Sequence, residues 1–273
     1  MTQEFRTYTP FREYEQYATK THEALAQLRY RPMIECVERY HWLIKQLRSG
    51  NLKFPLLEIG SGSSWGLSKI WKGFSGQLAI GVDLNRAALL EGFSNGATNL
   101  IQGDLTEGLS FRDGSFGTVI CFLALEQIDQ KRVGKLFDDL HRVARVDARM
   151  VLATFNRELF SPHGRKWFTP NLHEYTVQEL CDQLEDNGWI LEKAYGQRFV
   201  EPHVYYLQTA ITQATEDALK KVTFLQHVPL VEIFSPRICN IVPSIMPYTS
   251  VEPVEQHWMR KPVIDLLVFQ KFE

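Results

Sequence analysis

The chain has 273 residues, of which 44% are hydrophobic and 23% charged. That balance suits one large domain with a real core and excludes disorder or a fibrous architecture over most of the length. Lys plus Arg number 30 against 32 for Asp plus Glu, so no overall basic field points to nucleic acid.

In chain order, residues 1–12 lack the apolar core of a signal peptide. No run reaches the roughly eighteen apolar residues of a membrane helix, and a cytoplasmic protein without a transmembrane segment is expected. Residues 12–48 carry apolar positions at helical spacing, with Pro32 as a break and Ser49, Gly50 and Asn51 as the stop. Short apolar strand candidates follow at Phe54–Ile59, Leu78–Val82, Asn99–Gln102, Thr118–Phe122 and Met150–Thr154. Between the last two, Arg132–Arg145 reads as a helix with Val133, Leu136, Phe137, Leu140 and Val143 on one face. Strand and helix alternating in this way predict a parallel sheet covered on both faces.

The last third differs. Thr176–Asn187 reads as a helix opened by a capping box of Thr176 and Glu179 and stopped by Gly188. Trp189–Ala194 and Val263–Phe269 read as strands. The stretch between them is far longer than an ordinary connection. It holds a helix candidate at Leu207–Leu225 and then an apolar segment punctuated by Pro229, Pro236, Pro243, Pro247 and Pro253, which reads as an inserted cap. The four cysteines, Cys36, Cys121, Cys181 and Cys239, form no Cys-x-x-Cys pair. They read as reduced thiols packed as small hydrophobes, and no metal site is expected.

The sharpest local pattern is Glu58-Ile59-Gly60-Ser61-Gly62-Ser63-Ser64-Trp65-Gly66. A buried strand ends beside an acid and turns into a helix through two glycines that allow a tight turn and close approach of a ligand. The second strand ends in Asp83, where a carboxylate can accept from both hydroxyls of a ribose. The third is followed by Gly103-Asp104-Leu105. Three successive strands thus bring an acid to the edge where open α/β sheets bind ligands. A dinucleotide fold would need a glycine where Trp65 stands, and Glu58 would oppose a pyrophosphate. Both features argue against a dehydrogenase.

From Phe54 to Asn156 the chain resembles the class I S-adenosylmethionine-dependent methyltransferases, in particular the small-molecule branch called type 11. The family's acid-x-Gly-x-Gly-x-Gly is matched by Glu58, Gly60 and Gly62, while Ser64 replaces the third glycine and Gly66 follows two residues later. The family's Ser-Phe-Asp-x-Val reads Ser115-Phe116-Gly117-Thr118-Val119, and its Leu-Glu-His reads Leu125-Glu126-Gln127. Leu140-His141-Arg142-Val143 matches the end of the helix before the fifth strand. The resemblance implies a Rossmann-like seven-stranded α/β sheet in a three-layer αβα sandwich, parallel except for the last strand. It implies a helical lid over residues 1–50, a cofactor-binding core over 51–200, an inserted cap over 201–260 and a final core strand over 261–273.

It also implies that S-adenosyl-L-methionine is held by Glu58, Gly60, Ser61, Gly62, Asp83, Leu84, Asp104 and Leu105, with Asp83 on the ribose and Asp104 on the adenine amino group. Methyl transfer is an in-line displacement that needs a base only if the acceptor must lose a proton. His163 and His173 are the candidates for that base, His173 also reading as a helix-entry residue. Arg157, Arg165 and Lys166 read as a solvated loop face, or as an anion site. The expected acceptor is a small molecule, partly hydrophobic or lipid-like, held against the cap; a homodimer through the cap and a membrane-surface patch are the alternative uses of that surface. A catalytically silent, cofactor-binding interaction protein is the second reading of the whole chain.

Overall fold

A computed structural model describes residues 31–94, 96–160, 173–203, 206, 251–256 and 261–272. At its centre lies a sheet in the order β3-β2-β1-β4-β5-β8-β6-β7. Its strands are β1 (Leu56–Ile59), β2 (Ala79–Asp83), β3 (Leu100–Gln102), β4 (Phe116–Phe122), β5 (Ala144–Phe155), β6 (Trp189–Val200), β7 (Val251–Pro253) and β8 (Lys261–Lys271). β1 to β5 pair in parallel, and β8 runs antiparallel between β5 and β6. The seven strands expected from the sequence are all present. The eighth, Val251–Pro253, lies antiparallel on the outer edge of β6, inside the span 201–260 read as an insertion. Three residues ending in proline give no strand signal, yet proline is tolerated at a sheet edge.

The helices are α1 (Arg31–Arg48), α2 (Trp65–Gly73), α3 (Arg86–Ser94), α4 (Gln130–Val143), α5 (Arg157–Phe160) and α6 (Val177–Glu185). Pro32 falls in the first turn of α1, where a missing N–H costs nothing. Asp129 caps α4 by accepting from the Lys131 N–H, and α4 stops at Val143 because Ala144 already enters β5. Both bonds of the expected capping box open α6 at Thr176 and Glu179. The part of the expected helix before residue 31, the segment 161–172 and residues 207–250, with most of the expected cap, lie outside the described residues.

Strand alternation divides the core. Leu57, Ile59, Val119, Cys121, Met150, Leu152, Leu267 and Phe269 pack with Val133, Leu136, Phe137 and Leu140 of α4 and Leu180 and Leu184 of α6. On the other face Leu56, Ile120, Val151, Leu266 and Val268 pack with Tyr40, Leu43 and Leu47 of α1 and Leu67 and Ile70 of α2. α1 is therefore part of a core layer. Full burial of a side chain such as Leu43 contributes about 1.5–3 kcal/mol. The missing aspartate at 117 has a packing cause: a Cβ there would lie 2.9 Å from the backbone oxygens of both Lys53 and Phe54, so only glycine lets the chain before β1 pass so closely.

Candidate functional site

The turn from β1 into α2 is built on left-handed backbone. Gly60 and Gly62 have φ of +66° and +53°, and Ser64 has φ of +52°. Ser64 thus takes, with a side chain, a conformation that usually selects glycine. It is held there by its N–H on the Ser61 carbonyl at 2.8 Å and by a 3.0 Å bond between the two hydroxyls. Gly66 does not serve the turn. A Cβ at that position would lie 2.0 Å from the Tyr40 ring, so this glycine makes the seat for an aromatic side chain of α1.

Asp83 ties the turn to β2. Its Oδ2 accepts the Gly62 N–H at 2.7 Å and its Oδ1 accepts the Asn85 N–H at 2.7 Å. The Gly60 and Ser61 N–H groups both donate to the Val82 carbonyl, at 2.8 and 3.2 Å. Each carboxylate oxygen of Asp83 keeps a second lone pair for a ligand hydroxyl. Two residues past β3, Asp104 accepts from the Thr106 N–H and hydroxyl at 2.8 and 2.7 Å. These bonds hold its carboxyl below the usual range. Between the two acids Leu84 is 63% exposed, an apolar face free to meet a ring, while Leu105 packs partly against the core.

Glu58 sits on the α1 face of β1, 2% exposed. Its Oε1 accepts the Tyr40 hydroxyl, and its Oε2 has no hydrogen-bond partner. Burial pushes its pKa up to about 8; the Tyr40 bond and Arg39 oppose that, and Asp83 adds to it. Arg39 donates to Gln197 of β6 at 2.8 Å and lies over the Phe122 ring. Neither Tyr40 nor Arg39 stands out in the sequence, since nothing in a helical periodicity says which strand a polar residue will reach.

Beyond β4, Leu123 has φ of +54° and donates its N–H to the Ala153 carbonyl at 2.8 Å. This is strained backbone for a leucine, of a kind that clusters at ligand sites. The turn Leu125–Gln127 follows, with Glu126 buried and Gln127 exposed. His173 donates its backbone N–H to the Glu126 carbonyl at 2.9 Å, and its ring meets Tyr175 edge-on with centroids 4.5 Å apart. The structure therefore joins His173 to the loop after β4 and to the entry of α6. His163, Arg165 and Lys166 lie outside the described residues. Arg157 is paired with Glu179 at 2.5 Å. Among the described residues no three metal-ligating side chains converge, and no helix is long and apolar enough to cross a membrane.

The C-terminal strand ends thus carry Glu58, Asp83 and Asp104 along β1, β2 and β3, around a glycine turn where a Cβ at Gly62 would meet no atom within 4 Å. The unpartnered, buried Glu58 Oε2 and the free lone pairs of Asp83 fit a ligand with a cationic end and a diol.

The family described as a methyltransferase domain matches residues 57–152. Among solved structures, a possible histamine N-methyltransferase from Thermotoga maritima, described as dependent on S-adenosylmethionine, is 13% identical. It covers 96% of each chain with a TM-score of 0.53. An S-adenosylmethionine-dependent methyltransferase from Archaeoglobus fulgidus is 17% identical over 89% of this chain and 100% of its own, with a TM-score of 0.51. One from Mesorhizobium loti is 14% identical over 79% and 90%, with a TM-score of 0.50. No curated protein sequence matches the chain. Residues 57–152, built on this sheet order and this glycine turn, match the methyltransferase-domain family, and the solved structures share the fold.

Proposed function

We propose that the protein transfers a methyl group from S-adenosylmethionine to a small, partly hydrophobic acceptor. The observation that supports this is the run of carboxylates at three adjacent strand ends, one of them buried with an unpartnered oxygen. In this reading Glu58 Oε2 takes the ammonium of the methionine portion, and the backbone of Gly60, Ser61 and Gly62 lies along that portion. Asp83 accepts the two ribose hydroxyls. Leu84 and Leu105 flank the adenine, and Asp104 accepts from its amino group. When bound, the cofactor supplies an electrophilic methyl carried on a sulfonium.

The chain's own task is to hold the acceptor atom about 3–3.5 Å from that carbon, in line, and to keep water away. In this reading the acceptor lies next to the cofactor, beyond β4 and β5, and the apolar segment Val222–Val254 is proposed as its wall. Calorimetry with S-adenosylmethionine and with S-adenosylhomocysteine should show one saturable site, and isotope-labelled methyl should pass to an acceptor. Absence of cofactor binding would overturn the reading. Labelled transfer separates it from a silent binding protein. Replacing Val228–Pro247 by a short Gly/Ser linker should leave cofactor affinity in place and abolish turnover; unchanged turnover would remove the segment from the acceptor site.

A further inference from the structure

The sheet face covered by α4 and α6 ends in a polar group that the cofactor assignment does not use. Thr154 and Asp265 are direct partners across β5 and β8. Their side chains therefore leave the same face of the sheet with Cβ atoms about 4.5–5.5 Å apart. Thr154 donates its hydroxyl to Glu126 Oε1 at 2.8 Å, and the Phe155 N–H reaches the same oxygen at 3.2 Å. Asn156, two residues on, donates its side-chain amide to Asp265 Oδ1 at 3.3 Å. Glu126, Thr154, Asn156 and Asp265 form one patch where β5 ends, beside the strained loop after β4.

Glu126 is 2% exposed and Asp265 4%. One oxygen of each is satisfied, while Glu126 Oε2 and Asp265 Oδ2 have no hydrogen-bond partner. Burial raises both carboxyls. Asp265 reaches about 7, pushed further by Glu158 and opposed by Asn156 and Lys261; Glu126 is opposed by its hydrogen bonds and by Arg39. A buried acceptor left alone costs about 1–3 kcal/mol, and more when charged. Two such oxygens on one patch, next to the cofactor edge, call for a ligand that brings donors. A carboxylate or phosphate would be repelled, and an alcohol offers a single donor. An amino group offers several, with a positive charge to match.

Resting on the methyltransferase reading above, we propose that Glu126 Oε2 and Asp265 Oδ2 bind the amino group of the methyl acceptor, so that the protein methylates a primary or secondary amine at nitrogen. An ammonium entering this patch gives one proton to a carboxylate, which frees the nitrogen lone pair. That pair forms the nitrogen–methyl bond as the methyl–sulfur bond breaks, its electrons staying on sulfur. Glu126 and Asp265 are catalytic residues in this scheme, and Thr154 and Asn156 position them.

The test uses the full chain saturated with S-adenosylhomocysteine and compares 2-phenylethylamine and octylamine with 2-phenylethanol and octanol by calorimetry. Labelled methyl transfer from S-adenosylmethionine is followed in parallel. The amines should bind at least tenfold tighter than their alcohols and be labelled at nitrogen. Glu126→Gln and Asp265→Asn, which keep shape, should each lower amine kcat/KM at least tenfold and narrow the gap between amine and alcohol binding, with cofactor affinity unchanged. Alcohols bound as tightly as amines, or wild-type amine binding in both variants, would overturn the proposal. The wild-type selectivity alone decides the matter if a variant does not fold. Failure of the wild type to bind cofactor at all would bring down the methyltransferase reading itself. Cofactor binding without amine preference overturns only this inference.

Discussion

Tyr40, in the middle of α1, donates its hydroxyl to Glu58 Oε1 near the end of β1. The ring is held edge-on to Trp65 and Phe122, with centroids 6.2 and 5.4 Å away, and it fits because residue 66 is glycine. An N-terminal helix therefore reaches across a core layer to the carboxylate assigned to the cationic end of the cofactor. Burial raises the Glu58 pKa while the tyrosine bond lowers it, so α1 helps set the charge of this carboxyl.

The first prediction is a pH dependence. With the folded pKa of Glu58 at about 8, the folded protein keeps a proton that the unfolded chain releases above its ordinary carboxyl value. The unfolded state then binds fewer protons, so this group's contribution to stability falls as pH rises toward 8 and is level above it. A cationic ligand favours the ionised form, so cofactor affinity should run the other way. It should gain about tenfold per pH unit below 8 and flatten above. Calorimetry in buffers of different ionisation enthalpy should find about one proton released per cofactor bound near neutral pH. A flat affinity profile without proton release would separate Glu58 from the cofactor, and Glu58→Gln should show that flat profile.

Tyr40→Phe keeps the ring and removes the donor. Both Glu58 oxygens are then unpaired in the apo protein, at a cost of about 1–3 kcal/mol, seen as a lower Tm. Glu58 should hold its proton to higher pH, moving the affinity profile upward. Cofactor binding is then weaker than wild type at neutral pH and equal to it in alkaline buffer. An equal deficit at every pH would mean that the hydroxyl acts on packing and not on the carboxylate.

Asp83 carries two duties. Replacing it by alanine removes the ribose acceptor and also releases the Gly62 and Asn85 N–H groups. Asp83→Ala should therefore weaken cofactor binding by more than tenfold and lower Tm as well, each charge-assisted bond being worth about 1.5–3 kcal/mol. A diol-free cofactor analogue separates the two effects. The wild type should bind it more weakly than the parent compound, whereas Asp83→Ala should bind both alike. A variant that still prefers the diol would show that the ribose lies elsewhere.

Much of the sheet was legible because seven of its strands carry short apolar runs and the helix before β5 shows one clear apolar face. The three acids were legible because strand ends are easy to find and a single sheet edge gathers them. Tyr40 and Arg39 were not, since their partners Glu58 and Gln197 lie 18 and 158 residues away. Asp265 did leave a trace: a lone acid inside Val263-Ile264-Asp265-Leu266-Leu267-Val268-Phe269 is an expensive residue to bury without use. Glu126 left a weaker one, because the loop after β4 could have turned it to solvent. The role of Gly66 was not legible either, because the Tyr40 ring that it accommodates comes from another element.

The glycines of the turn separate ligand effects from folding effects. Gly62 has φ of +53° and no atom within 4 Å of a built Cβ, whereas a Cβ at Gly60 would meet Ala124 Cβ at 2.3 Å. Gly62→Ala should cost about 1 kcal/mol of backbone strain and leave most of the fold's Tm intact. The added methyl has only a bound ligand to meet, so cofactor affinity should fall well beyond that loss. Gly66→Ala should do the reverse. It unseats the Tyr40 ring, lowering Tm by an overpacking cost of about 1–3 kcal/mol, and it weakens the cofactor mainly through Glu58, so its deficit should shrink in alkaline buffer. Thermal melts and calorimetry at two pH values on both variants give the comparison. Wild-type cofactor affinity in a folded Gly62→Ala protein would take the glycine turn out of the site, and a pH-independent deficit in Gly66→Ala would break the link between Tyr40 and Glu58.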